Sequence, residues 1–283
     1  MTLPQPFGSE HSQSGRRTNR RTLLRGGLAL TPLLVLAPLA RRLLQPASGR
    51  AAPASVAGTQ QAAPACVVTP QETEGPYFVD EQLNRSDIRS DPATGQVKDG
   101  VPLYLQLVVS QVDANGCGPL AGAVVDIWQC DALGVYSDVS DPGFSTVGQK
   151  FLRGAQTTDA NGAVQFVSIY PGWYRGRAVH THFKVRTHPD AATGYEFTSQ
   201  LYYDDALTDT VHAQPPYAAK GTRDTRNSDD GIYRGGGDQL VLDLQPMEDG
   251  AGYRATFQVG VDLSAPSSSG AGSAGGGPPR PRF

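Results

Sequence analysis

The stretch Tyr170–Val185 reads YPGWYRGRAVHTHFKV. On a β-strand, side chains two apart point to one face, so His180 and His182 bring both imidazoles toward a single point. Phe183 and Val185 fall on the opposite face, which makes His180–Arg186 a strand with one polar and one apolar side. The Pro171-Gly172 pair just upstream marks a turn that delivers Tyr174 into a loop. Tyr174, Arg177, His180 and His182 thus lie within nine residues of one another.

Three readings fit this stretch. The first is a half-buried strand whose histidines are simply hydrogen-bonded. The second is a zinc site, which draws its remaining ligands from Cys, His, Asp or Glu, and no such cluster stands close by in the sequence. The third is ferric iron held by imidazoles and phenolates, since tyrosinate is a hard anionic oxygen donor. That third reading needs a second tyrosine on a loop at a strand end. The segment Gly122–Tyr136, GAVVDIWQCDALGVY, supplies it. Its apolar run Ala123–Trp128 reads as a buried strand, and Asp131–Gly134 reads as a turn presenting Tyr136.

Four blocks in order, WQCDALGVY, FLRGAQTTDANG, PGWY and RAVHTHF, resemble the successive signatures of the intradiol ring-cleavage dioxygenases of the catechol and protocatechuate type. Upstream, TEGPYF (Thr73–Phe78) is similar to the segment by which protocatechuate-type members enter their core. The resemblance runs from about Thr69 to Leu244. It implies an all-β fold, a mostly antiparallel β-sandwich with long loops at the iron-binding end. It also implies a non-haem Fe(III) cofactor bound by Tyr136, Tyr174, His180 and His182, with Tyr174 the labile axial ligand opposite His182. Two tyrosinates and a hydroxide leave such a centre close to neutral, which suits partial burial. The implied reaction takes a small catecholic substrate and O2 and opens the ring between its two hydroxylated carbons to a muconate-type diacid. Arg177 would stabilise negative charge developing on the ring. Gln200, in TSQLYYDD, would be a second-sphere glutamine, although its spacing from His182 is a few residues longer than in catechol-type members. Pairing with an acidic neighbour is the other reading of Arg177, and a solvent-facing side chain that of Gln200. Tyr77 and Trp173 are candidates for the pocket wall or for core packing. Arg153 supports a strand or the site's surroundings, and His188 and His212 read as surface residues.

Strand patterning agrees with a sandwich. Leu103, Leu105, Leu107 and Val109 alternate with polar neighbours, and further strands are expected at Ala163–Ile169, His180–Arg186, Thr198–Tyr203, Gln239–Leu244 and Tyr253–Val259. Asn115-Gly116 and Asn161-Gly162 are hairpin signals. No amphipathic helix of three turns stands out after residue 58. The polar, turn-rich segment Asp204–Gly237 is expected to lie partly over the site or to decorate the surface.

Residues 1–57 read as an export signal and linker. Arg16, Arg17, Arg20, Arg21 and Arg25 precede an apolar stretch, Gly26–Ala40, that is too short for an ordinary membrane span. The run Arg20-Arg21-Thr22-Leu23-Leu24-Arg25 resembles a twin-arginine signal, implying export from a bacterial cell to the periplasm, envelope or medium. An uncleaved anchor is the other reading, and it is the sole membrane association expected. Residues 58–263 form the expected sandwich domain, and 264–283 a low-complexity Gly/Ser/Pro tail. The chain carries 24 basic and 27 acidic residues. Residues 1–57 hold 8 of the basic and 1 of the acidic ones, so the remainder has 16 against 26, a net charge of −10. An acidic domain of this kind is a poor partner for nucleic acid. A homo-oligomer is compatible with everything above.

Cys117 and Cys130 flank a predicted strand over 121–129. At ~3.3 Å per residue their separation is roughly 30 Å, beyond disulfide reach. A bridge therefore involves Cys66, with Cys117 the favoured partner, unless all three thiols are reduced. The competing functional class is a non-catalytic iron- or ligand-binding sandwich, for which a colourless protein after iron loading would speak. An extradiol dioxygenase, with Fe(II), two histidines and a carboxylate, fits the two tyrosines poorly.

Overall fold

The computed structural model describes residues 66–188, 194–248 and 250–268. The signal reading over 1–57 and most of the low-complexity tail lie outside the described residues. The alternation Leu103, Leu105, Leu107, Val109 builds β1 (Pro102–Asp113), with all four side chains buried. Asn115 and Gly116 turn it into β2 (Gly116–Pro119), which pairs back antiparallel on Ser110–Asp113. There follow β3 (Val124–Trp128), a two-residue pair β4 (Ser140–Asp141) and β5 (Phe144–Ser145), β6 (Arg153–Thr157), β7 (Ala163–Ile169), β8 (His180–Arg186) and β9 (Glu196–Tyr202). The helix α1 (Asp205–His212) and a series of 3-10 turns then lead to β10 (Gln245–Pro246) and β11 (Tyr253–Val261).

The strands form two sheets. In one, β10, β11 and β1 lie in order, and β7 and β2 share the other edge of β1, β7 on Pro102–Val108 and β2 on Ser110–Asp113. The β1–β11 pair is parallel, the rest antiparallel. The second sheet runs β6-β3-β8-β9, antiparallel throughout. Between the sheets lies one apolar core, in which Leu105, Leu107 and Phe166 join Val125, Ile127, Phe183, Val185 and Leu201. Because side chains alternate along a strand, the histidines of β8 face away from this core, on the outer side of the second sheet. A separate cluster of Trp128, Cys130 and Tyr136 lies there, flanked by Tyr77, Phe78 and Tyr174.

Several expectations change in the folded chain. Asn161-Gly162 does form a turn, but it carries the chain from β6 in one sheet to β7 in the other and closes no hairpin. Gly162 is required there, because it has φ +76° and a Cβ would stand 2.1 Å from the Val109 carbonyl oxygen. Gln239–Leu244, read as a strand, is a 3-10 turn (Gly237–Leu240) followed by a single bridge to Tyr202. Leu240 and Leu242 are buried as their alternation suggested, but one bridge meets that demand without a ladder. The strand β6 was hidden by Gly154, whose missing side chain makes room for Ile88, 2.6 Å from where its Cβ would be. His212 is not a surface residue. It is buried, with Nε2 3.0 Å from the Pro171 carbonyl oxygen and its ring stacked on Tyr217. Beyond Ser264, the Ser267 hydroxyl accepts from the Glu196 amide at 3.0 Å.

Cys66 and Cys117 are joined in a disulfide, which ties the start of the described chain to β2. Cys130 is a buried free thiol, and burial pushes its pKa up to about 12. Among the described residues no helix is long and apolar enough to cross a membrane.

Candidate active site

Three segments meet on the outer face of the second sheet. The strand β8 contributes His180 at its first position and His182 two residues on. In register, His182 stands between Trp128 on β3 and Gln200 on β9, and His180 stands opposite Tyr202. Tyr136 arrives from the turn after β3. The Asp131 carboxylate accepts from the amides of Leu133 and Val135, both at 3.0 Å, and so shapes that turn. Tyr174 arrives from the loop before β8. The two tyrosine-bearing loops touch backbone to backbone at glycines: a Cβ on Gly134 would stand 2.0 Å from the Trp173 carbonyl oxygen, and one on Gly172 2.4 Å from that of Ala132.

The polar tips of four side chains converge. His180 Nε2 lies 3.0 Å from His182 Nε2, 3.1 Å from the Tyr174 hydroxyl and 3.5 Å from the Tyr136 hydroxyl. Ligands bound at right angles to one ion at ~2.0–2.1 Å are ~2.9 Å apart, so these separations fit a shared metal. The donor chemistry fits as well. His180 Nδ1 lies 2.6 Å from the Ala178 carbonyl oxygen, which can only accept. Nδ1 therefore carries the hydrogen and Nε2 turns its lone pair to the centre. The His182 ring is held by stacking on Trp128, centroids 4.8 Å apart and planes within 4°. Burial, then the Arg177 charge on His180 and the neighbouring His180 on His182, drives both imidazoles well below their ordinary pKa, so both are neutral. Burial lifts the Tyr174 phenol to about 12 and the Tyr136 phenol well above its ordinary value. In this pocket phenolates form only where a cation compensates them. Among the described residues no three of His, Cys, Asp and Glu gather as a metal site, so a metal here depends on the phenols.

Arg177 faces this centre and is also paired behind it. Its Nη1 is 3.5 Å from both the Tyr174 hydroxyl and His180 Nε2. Its Nε donates to the buried carboxylate of Asp230 at 2.8 Å, so the pairing with an acidic neighbour is present while another nitrogen still faces the cluster. Gln200 is fully buried, which removes the solvent-facing alternative. Its amide donates to the Thr73 carbonyl oxygen at 2.8 Å and its Oε1 accepts from Arg177 Nη2 at 2.5 Å. The segment Asp204–Gly237 therefore reaches the site through Asp230. Of the two wall candidates, Tyr77 stacks on Tyr136 (4.4 Å between centroids) and donates to Asp141 at 2.8 Å. Trp173 instead donates to the Gly221 carbonyl oxygen at 3.2 Å and packs against the main core. Arg153 donates to the Ser137 carbonyl oxygen at 2.6 Å, bracing the residue after Tyr136.

Sequence reading passed over Trp128, Asp230, Glu72 and Tyr202. The period-two register could have found Trp128 and Tyr202, which lie opposite the histidines. Asp230 and Glu72 come from irregular segments that carry no such signal.

A family model described as "Dioxygenase" matches residues 73–211. The chain is 30% identical over 192 residues to the protocatechuate 3,4-dioxygenase beta chain of Burkholderia cepacia, covering 61% of this chain and 80% of that one. It is 32% identical over 179 residues to catechol 1,2-dioxygenase 1 of Acinetobacter lwoffii, covering 54% of each, so it spans about half the length of that relative. Among solved structures, an intradiol ring-cleavage dioxygenase from Tetranychus urticae superposes with a TM-score of 0.62 at 28% identity, covering 71% of this chain and 98% of that one.

Proposed function

The chain belongs to the intradiol ring-cleavage dioxygenases, and from that premise we propose that Tyr136, Tyr174, His180 and His182 hold a non-haem Fe(III) at which a catecholic substrate is cleaved by O2. The observation that carries this reading is the convergence of two phenol oxygens and two imidazole nitrogens, 3.0–3.5 Å apart around His180 Nε2. When bound there, ferric iron would supply Lewis acidity, drawing electron density from a coordinated dihydroxyarene and so preparing its ring for reaction with dioxygen.

The side chains of the protein set the conditions for that chemistry. His180, with its Nδ1 hydrogen committed to Ala178, keeps one lone pair directed inward. Trp128 holds the His182 ring flat against itself, which limits its rotation. Tyr174, half-buried and with its oxygen within reach of Arg177, would hold the metal as its phenolate and is suited to take back a proton that an incoming catechol gives up. Arg177 places a guanidinium beside the position where negative charge builds up, and Asp230 fixes its direction. Tyr77, Phe78 and Trp128 form an aromatic surround that keeps water from the ring. The expected product is a muconate-type diacid.

Loading the full chain with iron and following oxygen uptake and product mass over a panel of dihydroxyarenes tests this. A burgundy protein whose band shifts with catechol and which releases a muconate-type acid is the expected result. A yellow semialdehyde product, or a protein that binds iron without colour, would overturn it. We also place the chain outside the cytoplasm. The twin-arginine pattern at Arg20-Arg21 motivates this, and the Cys66–Cys117 disulfide supports an oxidising destination. Unchanged export of R20K/R21K on cell fractionation would defeat the twin-arginine route.

A further inference from the structure

Behind Arg177 and Gln200 lies a buried polar chain that the site described so far does not use. Glu72 stands on the segment that runs beside β9, fixed by its amide donating to the Thr198 carbonyl oxygen at 3.0 Å. Its side chain is buried. One carboxyl oxygen, Oε2, accepts from the Tyr202 hydroxyl at 2.8 Å, and the other, Oε1, is buried with no hydrogen-bond partner. The Tyr202 oxygen is also 3.3 Å from Gln200 Oε1, the atom that receives Arg177 Nη2. Gln200 cannot turn over to avoid this, because its amide nitrogen is committed to Thr73.

We propose that Glu72, acting through the Tyr202 hydroxyl, is a positioning residue for Gln200 and Arg177, and that the proton on Glu72 decides which way Tyr202 donates. The inference rests on the ring-cleavage reading of the site. An ionised Glu72 takes the Tyr202 hydrogen, so Gln200 Oε1 accepts from Arg177 alone. A protonated Glu72 donates from Oε2 to the Tyr202 oxygen, and Tyr202 then turns its own hydrogen to Gln200 Oε1. A proton on Oε1 instead would leave a buried donor unpaired, which disfavours that form. The charge changes with the geometry, since ionised Glu72 sets a second carboxylate near Arg177, in addition to Asp230.

The groups facing Glu72 are Tyr202 from β9, Arg177 from the loop before β8 and Asp230 from the segment after α1. Glu74, two residues on, is turned to Lys184 instead. Burial outweighs the Tyr202 hydrogen bond and the Arg177 charge and raises Glu72 to about 7, so both of its protonation states are populated near neutral pH. With Glu72 neutral, Arg177 is less compensated and its field on an anionic dihydroxyarene is stronger.

The test uses the full iron-loaded chain, its E72Q and Y202F variants, and two readouts. The first is the pH profile of kcat and KM on one turned-over catechol. Wild type should lose kcat/KM on an alkaline limb near pH 7 that E72Q lacks, the two differing by about threefold to tenfold at the alkaline end. The change should fall on KM more than on kcat. Y202F keeps the Glu72 charge but removes the hydroxyl that links it to Gln200 and helps hold it ionised, so its limb should be smaller and lie at higher pH. The second readout is infrared difference spectroscopy across a pH step, which needs no turnover. A protonated-carboxyl band should titrate over the same range and vanish in E72Q. If wild type cleaves a catechol while E72Q and Y202F keep its pH profile, this inference fails and the site reading stands. If wild type cleaves none, the site reading fails and takes this inference with it. A wild-type spectrum with no titrating carboxyl removed by E72Q overturns the role of the Glu72 proton whatever the kinetics show.

Discussion

The two faces of β8 are built on opposite terms. Inward, Phe183 and Val185 meet Ile127 and Val125 in register across β3, and the contact is apolar, without directional bonds. Outward, His182 lies between Trp128 and Gln200, and His180 lies opposite Tyr202; Gln200 and Tyr202 are held by hydrogen bonds and Trp128 by stacking on His182. Dispersion and burial tolerate small shifts so long as volume is kept. Three polar tips gathered within 3.0–3.5 Å of His180 Nε2 do not, because a displacement of one ångström breaks the set. The same strand therefore carries stability on one side and chemistry on the other, and the two should be separable by mutation.

The sharpest separation pairs His182→Ala with Phe183→Ala. We expect H182A to lose iron, read by elemental analysis, and on the order of 10³-fold or more in kcat. Its urea midpoint in the iron-free state should move little. F183A should lose about 3–5 kcal/mol of stability in urea while the surviving folded fraction keeps its iron stoichiometry. If F183A strips the metal and H182A destabilises the iron-free fold by a comparable amount, the division between faces is wrong. Next in size is Arg177→Lys. A lysine keeps a charge but cannot serve Asp230, Gln200 and the Tyr174 side together, so kcat/KM should fall about 10²-fold with iron content unchanged.

Gly172→Ala probes the contact between the two tyrosine loops. The added methyl meets the Ala132 carbonyl oxygen at 2.4 Å and has to push the loops apart. We expect a loss of about 1–3 kcal/mol together with a weaker visible band per iron, whereas an alanine at Gly118 in β2, where nothing lies within 4 Å, should leave that band unchanged. The smallest effect is set by a residue on neither face. Burial holds the His212 imidazole below its ordinary value of 6.5, so the folded chain resists its protonation. The unfolded chain does not, and stability complete above pH 6.5 is lost as pH falls through that value, at ~1.4 kcal/mol per unit at most. Urea midpoints at about pH 7.5 and about pH 5.5 should converge less in wild type than in H212Q. Equal pH dependence in the two would show that His212 is protonated without cost.

What could be read from the chain alone follows the range of the forces involved. Strand alternation is a local property, so β1, β7 and β8 and the shared face of His180 and His182 were visible in the residues themselves. The turns that present Tyr136 and Tyr174 were visible too, because Pro, Gly and Asp restrict the backbone where they stand. The meeting of those two loops was not, since it depends on glycines accepting a carbonyl from a segment about forty residues away in sequence, at Gly172 and Ala132. Nor was the support behind Arg177: Asp230 lies 53 residues from it, and Glu72 lies 130 from Tyr202. Side-chain spacing along a strand determines which groups share a face. Which groups outside that strand complete the face is decided only when the chain closes, because a buried charge or hydroxyl takes whatever partner the fold brings within about 3 Å of it.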